Sequence, residues 1–88
     1  MKYAIIDGAE VDSIAGLHRL LAEQLDFPLW YGGNLDALYD CLTDLSEETT
    51  ITLTNREALE ESLGDGYCRF CRVLEDAAEE NPYLHIQN

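Results

Sequence analysis

Residues 30–44 read WYGGNLDALYDCLTD, and this stretch decides the fold because it combines a short loop, a helix start and a two-faced helix. Asn34 is a favourable N-cap residue and predicts where the helix begins. The apolar residues that follow recur at the three- and four-residue steps of an amphipathic helix: Leu35, Leu38, Leu42 and Leu45. We therefore expect this stripe to be buried in a core.

The opposite face of the same helix carries a row of carboxylates. Asp36, Asp40 and Asp44 are spaced four residues apart, which places them together on the exposed side with Tyr39 at its border. Like charges at this spacing cost an isolated helix roughly 0.2–0.5 kcal/mol per pair, so helix stability alone does not favour the row. The alternative is an ordinary solvated face in a chain with 18 acidic residues.

The loop before the helix places two aromatic residues beside two glycines. Trp30 and Tyr31 precede Gly32 and Gly33. Tyrosine and tryptophan are enriched at protein interfaces and dominate their binding energy. The loop and the acidic helix together predict a surface that binds another protein, and simple core packing of the two rings is the alternative.

Length and charge limit the classes of function. A chain of 88 residues is expected to form one domain over residues 1–88 with a modest core. Its net charge of −13 repels nucleic acid and attracts cationic proteins. No apolar run approaches the ~18 residues of a membrane span, and the apolar run near Met1 is too short for a signal peptide. We therefore expect a cytoplasmic protein without a membrane or nucleic-acid partner.

The cysteines and histidines do not form a recognisable metal or redox motif. Cys41, Cys68 and Cys71 are an odd number, which suits reduced thiols. Cys68 and Cys71 form a CxxC within a helical pattern and are expected to be core residues; a redox pair and a zinc site are the alternatives. His18 lies beside the apolar stripe of the first helix and is expected to pack there rather than to act in catalysis.

Periodicity along the remaining chain predicts three strands and three further helices. Residues 3–6 are a short apolar run expected to form a central strand buried on both faces, whereas Thr49–Thr54 alternates as a strand that could lie at an edge. Residues 83–87 are expected to form the last strand.

The first helix is expected to be capped by Asp12 or Ser13, and a third helix follows a capping box at residues 54–57. The helical stripes are Ile14, Leu17, Leu21 and Leu25, broadened by Leu20, in the first helix; Leu59 and Leu63 in the third; and Tyr67, Phe70, Cys71, Leu74, Ala77 and Ala78 in the last.

The connections between the strands are long enough to require crossovers, so the strands are expected to be parallel. The predicted fold class is α/β, with a single layer of three parallel strands packed with about four helices in the order β-α-α-β-α-α-β.

The acidic helix does not form a catalytic or metal-binding pattern. Three carboxylates on one helix could hold a hard cation or supply an acid and a base, but Ca²⁺ and Mg²⁺ sites draw ligands from loops or several elements. No hydrolase triad or nucleotide-binding motif is present. We expect a binding protein that has no catalytic residue, metal or cofactor; a metal-dependent enzyme is the alternative.

Residues 30–43 resemble the signature of the barstar family, which comprises small intracellular inhibitors of secreted microbial ribonucleases. A weaker similarity covers residues 14–18 (IAGLH) and the order of elements along the chain. The resemblance implies a barstar-like fold and a protein, monomeric when free, that forms a 1:1 complex with a basic microbial ribonuclease. Its carboxylates would occupy the positions of RNA phosphates in the cationic active site. The alternative is a barstar-like immunity or adaptor protein that binds a different cationic toxin domain.

The resemblance also implies roles for individual residues. Asp36 and Asp40 match the two acidic residues of the family's binding helix, and Asp40 corresponds to the one that enters the phosphate-binding pocket of the enzyme. Trp30 stands where barstar has a tyrosine, and Tyr39 where it has a tryptophan. Asp76 corresponds to an acidic residue late in the family's last helix. The predicted partner-binding residues are Trp30, Tyr31, Gly32, Asn34, Asp36, Tyr39, Asp40, Thr43, Asp44 and Asp76.

Overall fold

The computed structural model describes residues 1–28 and 31–87 of the chain. Within them the elements follow the predicted order β-α-α-β-α-α-β, and no helix is both long and apolar enough to cross a membrane. The elements are β1 (Lys2–Asp7), α1 (Ile14–Leu25), α2 (Leu35–Thr43), β2 (Thr49–Thr54), α3 (Arg56–Leu63), α4 (Gly66–Glu80) and β3 (Leu84–Gln87), with a short 3-10 turn at Gly8–Glu10.

The three strands form one parallel sheet in which β2 is the central strand. Ala4 of β1 lies beside Ile51 of β2, and Ile51 lies beside Ile86 of β3. The predicted α/β fold is confirmed, but the assignment of β1 to the centre and of β2 to an edge is wrong. A central strand forms backbone hydrogen bonds along both of its edges. The pattern of apolar side chains therefore does not show which strand is central.

The core lies on one face of the sheet. Ala4, Ile6 and Ile51 are fully buried there, whereas Tyr3 and Ile5 on the other face are 62% and 60% exposed. The expectation that β1 is buried on both faces is therefore wrong. The free edge of β1 is covered by Gln24 of α1, whose side chain accepts a hydrogen bond from the Ile5 N–H at 2.7 Å and donates one to the Ile5 carbonyl at 3.0 Å. This contact occupies backbone groups that an edge strand otherwise exposes.

The starts of α1 and α3 can be compared with the predicted caps. Ser13, one of the two predicted candidates, caps α1 by accepting a hydrogen bond from the Gly16 N–H. The first turn of α1 lies outside the core, so Ile14 is 42% exposed and the buried stripe is shorter than predicted. The capping box before α3 is wrong because Asn55 takes the cap position with a left-handed backbone, and Thr54 still belongs to β2. Asparagine tolerates that conformation.

The cysteines differ in their burial. Cys41 of α2 is buried, in agreement with its helical phase, and Cys71 of α4 is half-buried. Cys68 is exposed, so its assignment to the core is wrong. The reason is its position two residues before the buried Phe70, because about 200° of helical rotation places it on the opposite side of α4.

Candidate protein-binding site

The start of α2 is fixed by its cap residue. The Asn34 side-chain oxygen accepts a hydrogen bond from the Ala37 N–H at 2.8 Å, which confirms Asn34 as the N-cap. Gly33 before it has a left-handed φ of 66°, a conformation that suits glycine. A Cβ on Gly32 would lie 3.1 Å from the amide nitrogen of the Asn34 side chain. The loop therefore approaches the cap closely, and the partner contact predicted for Gly32 and Asn34 stays a prediction.

Asp36, Asp40 and Asp44 form the acidic face of α2, and all three are exposed. The ion pairs among residues 1–28 and 31–87 involve none of them. Asp36 lies in the first turn, where the helix dipole favours a negative charge, while Asp44 is the C-cap, where the dipole opposes one. The acidic face therefore carries three unneutralised carboxylates on a helix whose other side is anchored in the core by Leu38 and Leu42.

Tyr39 joins this face to α4. It is half-buried, and the pKa of its phenol is raised first by partial burial and then by the carboxylates of Glu80, Asp76 and Asp40. Asp76 is therefore within electrostatic reach of Tyr39, and the partner contact predicted for it stays a prediction. Glu80 is a residue that the sequence reasoning missed. Its spacing of four residues from Asp76 was the available signal, since residues four apart share one side of a helix.

Thr43 directs its hydroxyl back into its own helix. The hydroxyl donates to the Tyr39 carbonyl at 2.9 Å and lies 3.2 Å from the Asp40 carbonyl. The Thr43 hydroxyl is therefore already engaged within α2, and the partner contact predicted for Thr43 stays a prediction.

Tyr31 is half-buried, and both its hydroxyl and its ring contact other residues of the protein. Its hydroxyl forms a 2.5 Å hydrogen bond with Nδ1 of His18, and its ring packs against Phe27 with the centroids 4.9 Å apart. His18 is only 4% exposed, so the expectation that it packs beside the stripe of α1 is confirmed. Burial raises the pKa of Tyr31 and lowers that of His18, so both groups are held in their neutral forms. Trp30 lies outside the described residues and its predicted role stays a prediction.

The end of α2 is held by Asn81, which the sequence reasoning also missed. The Asn81 side chain, buried to 5% exposure, donates to the carbonyls of Leu42 at 2.9 Å and Leu45 at 3.0 Å. Its own oxygen accepts a hydrogen bond from the Tyr83 N–H. One side chain thus satisfies carbonyls at the end of α2 and joins that end to the segment between α4 and β3.

An open groove of about 500 Å³ borders the acidic face between α2 and the end of α1. Apolar side chains and carboxylates both line it, and Lys2 is the single basic residue among those that line it. Lys2 is already near Asp26, at 3.9 Å, and Glu47, at 3.6 Å. A groove with both apolar and acidic groups suits the long stem and charged head of an arginine or lysine. The lining residues are Lys2, Leu25, Asp26, Phe27, Pro28, Asp40, Cys41, Thr43, Asp44, Leu45, Ser46 and Glu47.

The arrangement defines a class of protein: a small α/β protein that presents carboxylates and a tyrosine on a helix packed against its core. In the part of the chain that the structure describes, no group of three histidine, cysteine or carboxylate side chains is placed to hold a metal ion. What the structure shows at this site is charge: three exposed carboxylates and a half-buried tyrosine on one helix.

The comparisons with known proteins agree with this class. A family model described as "Barstar (barnase inhibitor)" matches residues 1–86, and the chain belongs to the barstar family. The chain is also similar to a protein of Bacillus subtilis (strain 168) named "Putative ribonuclease inhibitor YrdF". The two are 42% identical over 81 residues, which cover 91% of this chain and 89% of that protein.

Proposed function

We propose that this protein inhibits a secreted microbial ribonuclease by placing the acidic face of α2 in the cationic active site of the enzyme. A ribonuclease gathers lysine, arginine and histidine side chains to bind phosphates. Carboxylates on a stable helix offer the same charge pattern without a bond that the enzyme can cleave. Membership of the barstar family and the name of the Bacillus subtilis relative support the ribonuclease as the target.

The observation that carries the proposal is the position of Asp40. Asp40 follows Tyr39 in α2, whose phenol is within electrostatic reach of Asp40 and of the α4 carboxylates, and Asp40 also lines the open groove. Asp40 is also exposed and without an ion pair in the described residues. Asp40 is therefore an open carboxylate in both the acidic face and the groove, and we assign it the central contact with the enzyme.

The direct test titrates a barnase-type ribonuclease with the purified chain and follows RNA cleavage. We expect cleavage to fall in proportion to added protein and to stop at one chain per enzyme. Full cleavage in the presence of excess chain would reject this class of enzyme as the target. In that event a pull-down would ask whether the partner is another cationic toxin domain.

A matched pair of substitutions tests the assignment of Asp40. Asp40→Ala should weaken binding by at least about 2 kcal/mol, the usual threshold for a hot spot, which corresponds to roughly 30-fold in Kd. Asp44→Ala removes the same charge from the helix end and should change Kd by less than about threefold, because rim charges contribute little to affinity. Isothermal titration of both variants measures the difference, and an equal loss in the two would show that the ranking of the acids is wrong.

A further inference from the structure

Three of the five basic residues in this acidic chain line one open pocket beside α4. We call it the arginine pocket. Its volume is about 430 Å³, and Glu75 is the one acidic residue that lines it. The lining residues are Arg56, Tyr67, Cys68, Arg69, Cys71, Arg72 and Glu75. A local concentration of positive charge in a protein of net charge −13 is a feature that the proposed function does not use.

The pocket has one fixed cation and two solvent-facing ones. The Arg56 guanidinium donates to the Tyr67 hydroxyl at 2.8 Å and to the Cys71 sulfur at 3.6 Å, and it also lies over the Tyr67 ring. Arg69 and Arg72 are exposed, and in the described ranges 1–28 and 31–87 neither forms an ion pair. Both are therefore available to an anionic group that enters from solvent.

An exposed thiol lines the same pocket as these arginines. Cys68 is exposed in the first turn of α4, and Arg72 is four residues further along the same face of the helix. Exposed cysteines in electropositive surroundings near helix N-termini are the ones that react with disulfides. Cys71 differs from it, because Cys71 is half-buried and its sulfur accepts the bond from Arg56.

We propose that Cys68 is a modification site for anionic low-molecular-weight disulfides, whose carboxylates are attracted by Arg69 and Arg72. The Cys68 thiol loses its proton to solvent, and its sulfur attacks one sulfur of the disulfide. A bond forms between these two sulfurs, the disulfide bond of the reagent breaks, and the second half leaves as a thiolate. The disulfide is the only oxidant that the step requires.

The product is a mixed disulfide rather than a bond between Cys68 and Cys71. Side chains three residues apart on a helix have Cβ atoms about 5–6 Å apart, whereas a disulfide needs about 3.5–4.5 Å. The adduct therefore stays on Cys68 until an external thiol removes it, and the modification is reversible.

The charge of the whole molecule predicts the opposite preference, which makes the proposal testable. A net charge of −13 attracts cationic reagents and repels anionic ones. Only a local effect of the arginine pocket favours an anionic disulfide at Cys68. The test uses the chain alone, so its outcome is independent of whether the protein inhibits a ribonuclease.

The experiment compares oxidised glutathione, which is anionic, with cystamine, which is cationic. We expect mass spectrometry to find one glutathione per chain, attached to Cys68. Arg72→Gln should slow the reaction with oxidised glutathione by about threefold, which is the effect of one unit charge on another at about 6 Å in water. The same substitution should accelerate the reaction with cystamine. Ratios between variant and parent are compared for each reagent, so differences in intrinsic reactivity cancel.

The matched control is Arg19→Gln, which removes the same charge from an exposed position on α1. It should leave both rates within experimental error. Equal effects of the two substitutions would overturn the proposal, because the net charge would then account for the rates. Attachment at Cys71, or loss of both thiols to an internal disulfide without retained glutathione, would overturn it as well.

Discussion

Gly8 is buried where the turn after β1 passes against the start of α3. A Cβ at this position would lie 2.2 Å from the carbonyl oxygen of Asn55 and 2.6 Å from the backbone nitrogen of Leu59. Both are backbone atoms, so relief requires a shift of α3 as a whole. Gly8→Ala should therefore lower the free energy of unfolding by about 1–3 kcal/mol, measured by urea denaturation.

Gly66 provides the control for that substitution. It is the first residue of α4, and a Cβ there would meet no heavy atom within 4 Å. Because alanine is the better helix former, Gly66→Ala should leave the free energy of unfolding unchanged or raise it slightly. A larger loss from Gly66→Ala than from Gly8→Ala would contradict the steric account.

His18 predicts how stability depends on pH. Burial lowers the pKa of its imidazole below the usual 6.5, so the unfolded chain takes up a proton at a higher pH than the folded protein does. The contribution of His18 to stability is present above about pH 6.5 and is lost as the pH falls through the lowered pKa. We expect the free energy of unfolding to decrease between pH 7.5 and pH 5.5, as followed by urea denaturation.

Variants of the two histidines isolate this effect from the titration of carboxylates. His18→Gln should reduce the decrease over that pH interval, because the group that titrates is gone. His85→Gln should retain the decrease in the free energy of unfolding, since His85 is exposed on the edge strand β3 beside Glu48. An unchanged decrease in His18→Gln would show that other groups cause the pH dependence.

At the scale of the element, the acidic helix depends on contacts at both of its ends. Asn34 caps its start, and Asn81, which lies outside it, holds its end. Asn81→Asp replaces the side-chain nitrogen that donates to the carbonyls of Leu42 and Leu45 with a carboxylate oxygen. This oxygen and the carbonyl oxygens repel each other. Loss of these buried hydrogen bonds should lower the free energy of unfolding by about 2 kcal/mol or more, measured by urea denaturation.

Glu79→Gln is the control for Asn81→Asp, because Glu79 is exposed in the last turn of α4. It should change the free energy of unfolding by less than about 0.5 kcal/mol. If the two variants were equally stable, the bonds from Asn81 would not be what fixes the end of α2.

At the scale of the whole molecule, the net charge of −13 should govern how fast the protein meets a cationic ribonuclease. Electrostatic attraction raises association rates by about one to three orders of magnitude and is screened by salt. Stopped-flow measurements should show an association rate that falls steeply as salt rises and a dissociation rate that changes much less. An association rate independent of salt would contradict an electrostatic approach of the two proteins.

The local patterns predicted the order of the elements because helix periodicity and strand alternation depend on neighbours in the chain, although the capping box before α3 was wrong. The burial of Leu38, Cys41 and Leu42 and the exposure of the three aspartates follow from helical phase, whereas Leu45 of the predicted stripe lies beyond the end of α2. The exposed Cys68 could have been predicted in the same way, from its phase relative to Phe70. By contrast, the apolar run of β1 was consistent with two buried faces, and only the packing of the helices shows that one face is open.

The sequence by itself determined the class of fold, the start of the acidic helix and which side of it meets solvent, because these follow from the periodicity of residues close in the chain. Only the tertiary structure decided that β2 is central, that Tyr39 is within electrostatic reach of Asp76 and Glu80, and that Asn81 holds the end of α2. These features join segments separated by 30 residues or more, or depend on strand partners, and their geometry arises when the elements pack together.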